Sequence, residues 1–470
     1  MQKHYRQLNK LRSYKWRAGC LLAGCLFFHL AASAGEIAGW RHDGTGRFPA
    51  ARPTTRWDDK ANVIWKTATP EWSNASPVIS GNRIFICAEP DILLCLDKTT
   101  GKILWQSSNS YQDITPADQH EELSEKMAQA AKVQKELNGI SNKQRQLRQE
   151  LKKTPEDAGL QQELAALQEQ ESEISKQLEP LEYYRLPSAH KANGYSSSTP
   201  VTDGINVYVY FGTGVAAAYD FDGNRLWARI IEKPQANWGH SASPALAGGH
   251  FIIHVRDVHA LDPATGATVW TAKSSPRWGA MVTTEIDAQP VIITANGEII
   301  HAADGKILAE GLHSLDYCAP MVHDGIVYFI ENGGKAFRFP ALADGTEQPE
   351  ELWQTEPPKE RYYASPLYHE GLIYCIQQKG VYNILDAQTG SVLKSAKIDS
   401  LKRTVYPSVT LAGSLIFIAA EGSQVLFLEP GVEMREVAAF GFEHFRTTPV
   451  FEGDRTYVRT LEAMYCIGQP

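Results

Sequence analysis

The sequence predicts an all-β fold: an eight-bladed β-propeller of four-stranded blades, with an inserted antiparallel α-helical coiled-coil hairpin. Three observations predict it. A unit of about 40–46 residues, each with four short strand-like runs, recurs eight times. The last unit lacks a fourth strand, and an orphan strand stands before the first unit. Residues 117–182, between units one and two, abandon strand-like alternation for helical spacing.

The first 34 residues read as a leader. Lys3, Arg6, Lys10, Arg12, Lys15 and Arg17 form a basic start, Ala18 to Ala32 is apolar, and Ala32-Ser33-Ala34 has the small-x-small form of a cleavage site. The apolar run is 15 residues, short of the roughly 20 that span a bilayer, so export with cleavage is expected and no transmembrane span thereafter. Leu22-Ala23-Gly24-Cys25 matches a lipobox, which offers lipid anchoring through Cys25 as the alternative. Against it, seven residues separate Arg17 from Cys25 and the apolar run continues to Leu30. Removing six positive charges from a net −8 leaves about −14, which disfavours nucleic acid and anionic membranes. Residues 35–116 then hold a closing strand and blade one, 117–182 the insertion, and 183–470 blades two to eight.

The orphan strand is Asn62-Val63-Ile64-Trp65-Lys66. Blade one opens at Ala75-Ser76-Pro77-Val78, alternates through Ile84-Phe85-Ile86, reaches Leu96-Asp97, and closes with Thr100-Gly101-Lys102-Ile103-Leu104-Trp105. Ser198-Thr199-Pro200-Val201 and Ala242-Ser243-Pro244-Ala245 open blades two and three, which close at Trp227 and Trp270. Blade four is degraded, from Met281 to Leu308. Blade five runs from Ala319-Pro320 to Trp353, blade six from Ser365-Pro366 to Leu393, and blades seven and eight open at Pro407 and Pro449. The opening prolines 200, 244, 320, 366, 407 and 449 are spaced by 44, 76, 46, 41 and 42, and the 76 contains blade four. Pairing the orphan strand with the final Tyr465-Cys466-Ile467 would complete blade eight and remove two open sheet edges. Asp97, Asp220, Asp262 and Asp386 read as turn formers before Gly. Five cysteines follow the leader; Cys87, Cys95, Cys318, Cys375 and Cys466 read as small buried hydrophobes, and their odd number leaves at least one free or paired between chains.

The Ser-Pro-Val openings, the Leu-Asp-x-x-Thr-Gly-Lys-x-Leu-Trp closing and the period resemble the pyrroloquinoline quinone (PQQ) repeat family over roughly residues 60–110 and 190–468. That family holds quinoprotein dehydrogenases and BamB, the accessory lipoprotein of outer-membrane barrel assembly. Gly39-Trp40-Arg41-His42-Asp43-Gly44 is similar to the Trp-Arg-Gly-Pro start of exported members, with His42 and Asp43 in place of Gly and Pro. Kinship with the dehydrogenases would imply PQQ stacked on a Trp, a Ca²⁺ held by Glu, Asn and Asp, an Asp base and often a vicinal Cys-Cys. No Cys-Cys pair follows the leader, and no calcium-loop spacing stands out. Without leader and insertion about 370 residues remain, roughly 46 per blade, too few for long chamber-building loops. No cofactor and no metal are therefore expected, with PQQ and Ca²⁺ the alternative.

In the insertion, Leu123, Met127, Ala130, Val133, Leu137, Ile140, Leu147 and Leu151 recur mostly at three- and four-residue steps. Thr154-Pro155-Glu156-Asp157 reads as a turn, and Leu160, Leu164, Leu167, Ile174, Leu178 and Leu181 continue the seam. The first helix would extend roughly 50 Å. It should leave the face that carries the blade-to-blade connections, because successive strands alternate direction.

That face gathers rings and cations from the segments before each first strand: Trp72, Tyr195, Trp238, His240, Trp278, Tyr317, Arg361, Tyr362, Tyr363, Arg403, Tyr406, His444, Phe445 and Arg446. Such a collar suits planar, sugar-like or peptide ligands through stacking and cation–π contacts; the competing reading is wedge packing between blades. No nucleophile, zinc or phosphate-loop motif accompanies it. The expected function is a non-catalytic exported scaffold of the cell envelope, resembling BamB, with an envelope protein bound through the arm or the funnel face. The alternatives are a PQQ- and calcium-dependent oxidoreductase and a carbohydrate- or peptide-binding module.

Overall fold

The computed structural model describes residues 37–58, 61–339, 348–422 and 424–469. The expected leader and Cys25 lie outside the described residues.

The described strands form eight sheets, one for each repeat, with the four strands of every blade antiparallel. Blade 1 is typical, with strands Val78–Ser80, Arg83–Ala88, Ile92–Asp97 and Ile103–Ser108 in consecutive order. In blades 1 and 6 the second and third strands are almost wholly buried, and the outer fourth strand alternates or is exposed. Degraded blade 4 is a complete sheet, from Val282–Ile286 to Ile307–Ala309. The closure expected from the two deficits is present. Val63–Ala68 pairs antiparallel with Ala463–Gly468, placing Trp65 opposite Cys466 and Ala68 opposite Ala463.

The core lies between blades rather than at one centre. One apolar cluster joins blades 7, 8 and 1, another joins blades 4, 5 and 6, and smaller ones fill the remaining junctions. The closing tryptophans anchor five of these junctions. Each donates its indole N–H to a carbonyl in the next blade's turn: Trp65 to Lys98 (3.1 Å), Trp105 to Phe221 (3.0 Å), Trp227 to Pro263 (2.7 Å), Trp270 to Ala302 (3.1 Å) and Trp353 to Ala387 (3.0 Å). The ring lies on that turn's glycine. At Gly101 (φ +73°) a Cβ would stand 2.5 Å from the Trp65 ring, so both the left-handed backbone and the space require glycine. The aspartates act as turn formers: Asp97 Oδ1 accepts from Thr100 N at 2.8 Å and Asp386 Oδ1 from Thr389 N at 2.8 Å.

One element had no signal in the sequence. Arg47–Phe48 runs parallel to Thr410–Ala412, inside the innermost strand of blade 7. With its neighbours it crosses the central channel. Ala38 bridges Thr202 of blade 2, Arg41 reaches the carbonyls of Pro366 and Val409 in blades 6 and 7, and Arg52 N donates to Gly453 O in blade 8. Thr202, Ala412 and Gly453 lie at first-to-second-strand turns, so this segment closes the channel at the end away from the blade-to-blade loops.

The insertion forms two helices, His120–Leu151 and Ala158–Leu178, which pack together. Contacts of Gln144 with Glu171 and of Gln134 with Arg185 show that they run antiparallel. The 32 residues of the first helix extend about 48 Å. Val133, Leu137, Ile140, Ile174 and Leu181 are buried in the seam, and Asp157 caps the second helix by accepting from Gly159 N and Leu160 N. The base is fixed to blade 2. Leu123 and Met127 pack with Tyr111, Val215 and Ile230, and Lys233 Nζ donates to the carbonyls of Glu182, Tyr183 and Arg185 at 2.6–2.7 Å. All five described cysteines are buried and free; Cys87 lies opposite Leu93 and Cys95 opposite Phe85, so the two do not face each other.

Candidate functional site

The blade-to-blade loops surround a funnel of about 380 Å³ at the axis. Its floor begins with the residue two positions before each innermost strand, mostly Ser or Thr beside a proline. Ser76 N donates to Thr199 Oγ1 (3.1 Å), Thr199 N to Ser243 Oγ (3.0 Å), Ala319 N to Ser365 Oγ (3.0 Å), Ser365 N to Ser408 Oγ (3.2 Å), Ser408 N to Thr448 Oγ1 (3.0 Å), and Thr448 N to Ser76 Oγ (3.0 Å). Each hydroxyl takes the backbone N–H of the preceding blade, which would otherwise be a buried orphan donor. The belt is interrupted where blades 4 and 5 carry Ala280 and Ala319 at the same position. All six hydroxyls line the funnel, and among the described residues none donates its own proton to a protein acceptor.

Above the belt the rings form a connected arc. Trp278 stacks on Tyr317 (5.4 Å, 22°), Tyr317 meets Tyr363 edge-on (4.9 Å), Tyr363 stacks on Tyr406 (5.1 Å, 24°), and the Arg446 guanidinium lies 5.4 Å from the Tyr406 centroid. Arg446 is neutralised by Glu421 at 2.5 Å and also donates to Ala192 O at 2.8 Å, tying the loop after the arm to blade 8. Arg361 is exposed; its guanidinium donates to the Tyr363 hydroxyl, its backbone N–H donates to the Glu360 carboxylate, and its carbonyl accepts from Gln378 N. The opposite wall is polar: Asn74 donates to Ala192 O and Ser197 Oγ, and Asn193 donates to the carbonyls of Trp238 and His240.

The structure therefore brings Trp238, Trp278, Tyr317, Arg361, Tyr406 and Arg446 of the sequence-derived collar to the funnel, together with Tyr363. It places the others elsewhere. His240 is buried, in hydrogen-bonding contact with Ala242 O and edge-on to Tyr210; burial pushes its pKa down to about 4. Tyr362 and Phe445 are core residues, and the Tyr362 hydroxyl donates to Pro358 O. Tyr195 donates through its hydroxyl to Pro187 O, while its backbone N–H goes to Glu89. Trp72 is half-buried with its carbonyl accepting from Glu89 N, Arg403 is exposed outside the lining, and His444 pairs with Glu421. Rings alternate between funnel and core within a few residues, and composition alone does not reveal which way each one points.

Sequence reasoning missed Trp40, Asn74, Asn193 and the hydroxyl belt. The belt had a visible signal, Ser or Thr recurring beside the opening proline. Trp40 enters from the channel-crossing segment, which carries no periodic pattern. Next to it Arg41 is 3% exposed, with Nη1 donating to Pro366 O (2.9 Å) and Nη2 to Val409 O (2.6 Å), the carbonyls of the residues that follow Ser365 and Ser408. Burial pushes its pKa down to about 10, which keeps it charged at neutral pH. No carboxylate hydrogen-bonds it among the described residues.

No Asp, Glu, His, Cys or Lys lines the funnel among the described residues. The acids behind its loops are committed elsewhere. Glu89 accepts from Tyr195 N, Ser196 N and Ser196 Oγ, and Glu331 accepts from the backbone N–H groups of Asp316, Tyr317 and Cys318 at 2.9–3.0 Å. Burial raises both carboxyls, Glu331 to about 7. A hard cation needs charged oxygen ligands converging on one point. This donor set does not fit calcium, nor the metal-bridged quinone site of the dehydrogenases.

The family described as outer membrane protein assembly factor BamB matches residues 53–140 and 254–429. No curated protein matches the chain in sequence. Among solved structures, BamB from Moraxella catarrhalis is similar with a TM-score of 0.53 at 12% identity, covering 87% of this chain and 97% of that one. A europium-containing methanol dehydrogenase aligns with a TM-score of 0.55 at 11% identity, over 92% and 98%. Quinohemoprotein alcohol dehydrogenase from Comamonas testosteroni aligns with 0.51 at 11% identity, over 88% and 78%. At these identities the likeness is one of fold.

Proposed function

The chain belongs to the PQQ-repeat family described as outer membrane protein assembly factor BamB, and from that premise we propose that it is a non-catalytic binding scaffold of the cell envelope, exported through its N-terminal leader and engaging an envelope protein through the helical arm and the funnel face. One observation carries this reading: the funnel lining. Rings, amides, hydroxyls and guanidiniums recognise a ligand, but none of them exchanges a proton readily near neutral pH. Burial pushes Tyr317 and Tyr406 further up, away from any role as a base. The arm supports the same reading. A hairpin rooted by three Lys233 hydrogen bonds presents its distal surface at a fixed place, as a partner-binding element requires.

The test uses residues 35–470 with added PQQ and Ca²⁺. We expect no calcium-dependent absorbance titration and no alcohol-dependent dye reduction; both together would make the chain an oxidoreductase. A second sample replaces residues 138–177 with a short Gly linker, sparing the base that packs on blade 2. Its propeller should melt as before, and its complex with the envelope partner should be lost.

A further inference from the structure

We infer that the funnel is a site for a compact organic carboxylate: its charged end on the belt hydroxyls above Arg41, its ring-shaped body against the aromatic arc. This rests on the reading of the funnel as a ligand site free of acid–base machinery, and it names the ligand class.

Three observations converge. First, the floor is rich in donors. Each belt oxygen already has one lone pair taken by a backbone N–H, and its O–H has no protein acceptor among the described residues and can be offered upward. An accepted hydrogen bond also polarises that O–H and makes it a better donor. Second, a buried cation stands beneath the floor. Arg41 is hydrogen-bonded by two carbonyls and by no carboxylate; Asp43, itself accepting from Thr45, acts on it only through space, so the buried charge is partly compensated. Arg361 adds a second cation at the rim, where Glu360 beside it is shared with Lys379, and the lining contributes no negative charge among the described residues. A cationic ligand would meet like charges and find no carboxylate in the lining among the described residues. Third, the floor is polar on one side only. The belt is interrupted at Ala280 and Ala319, and Trp278 and Tyr317 rise above that gap. A ligand with a carboxylate at one end and a ring at the other matches this division. The crossing segment closes the channel below, so the charged end stops at the floor. A cavity of about 380 Å³ admits one ring with its substituents.

Aromatic carboxylates and sugar acids share this chemistry, and calorimetry on residues 35–470 at low ionic strength separates them. The probes are phenylacetate against neutral phenylacetamide, and glucuronate against neutral glucose. We expect at least one carboxylate to bind about tenfold more tightly than its neutral counterpart. Arg361→Gln should weaken it about threefold, and added salt should do the same. Arg41→Lys should keep the preference and Arg41→Met should abolish it. If Arg41→Met does not fold, the wild-type pairs and Arg361→Gln decide. Equal affinity within each pair, or no heat from either carboxylate at about 10 mM, overturns the inference. Failure here leaves the scaffold reading intact, because that stands on the calcium, dye and arm experiments.

Discussion

Seven junctions between blades and the eighth, between blades 4 and 5, are built differently. Among the described residues every other junction carries a belt hydroxyl, a docked tryptophan or both. Blades 8–1, 1–2, 2–3 and 5–6 have both, blades 6–7 and 7–8 have the hydroxyl, and blades 3–4 have Trp270. The 4–5 junction has neither. Gly279 lies against the Cys318 carbonyl instead, Trp278 N and Gly279 N both donate to Asp316 O, and one apolar cluster runs through from Ala280 to Ala387. Glu331 collects three N–H groups of the same loop. Side-chain locks leave a repeated residue in the sequence, whereas backbone contact and apolar packing do not. In a closed ring one such junction is tolerable, because the other seven hold its two edges in register.

The largest test converts a second junction to the unlocked type. Trp270→Ala removes the side-chain lock between blades 3 and 4 and should cost about 3–5 kcal/mol in chemical denaturation. Hydrogen exchange should then show blades 3 and 4 opening first. Next, Ser408→Ala leaves the buried Ser365 N–H without an acceptor and should cost about 1–3 kcal/mol by the same denaturation. The pH series probes the unlocked junction itself. The Glu331 carboxyl sits near 7 when folded, above its ordinary 4.5, so the folded chain holds a proton that the unfolded chain gives up. This carboxyl's contribution to stability should therefore be fully present below about 4.5, fall by about 3 kcal/mol as pH rises to about 7, and level off above. Glu331→Gln should flatten that slope; an unchanged slope would assign it to another group. The smallest change supplies what the junction lacks. Ala319→Ser offers an acceptor to Ala280 N and should stabilise the chain by about 0.5–1 kcal/mol, read as a rise in melting temperature.

Legibility in the sequence follows the same division. The blade count, the strand order within blades and the closure of blade 8 by Val63–Ala68 were readable, because period-two alternation and turn glycines recur at fixed distances. The helical arm was readable from its apolar steps. Half of the collar was misplaced into the funnel for a definite reason. Tyr362 and Phe445 stand beside Tyr363 and Arg446 in the sequence, but adjacent residues in an extended loop point in opposite directions, and His240 turns into the core after Gly239 at φ +83°.

By itself the sequence determined the repeat, and with it the architecture, because each four-stranded unit must bury both faces and only its neighbours can cover them. It also determined where the ring is joined, through two complementary deficits. The tertiary structure alone decided what the axis holds. Ser76 and Thr448 are 372 residues apart in the chain, and Arg41 is 325 from Pro366. Only closure of the ring brings them together, so the hydroxyl floor, the buried cation under it and the blind end of the funnel have no local signature.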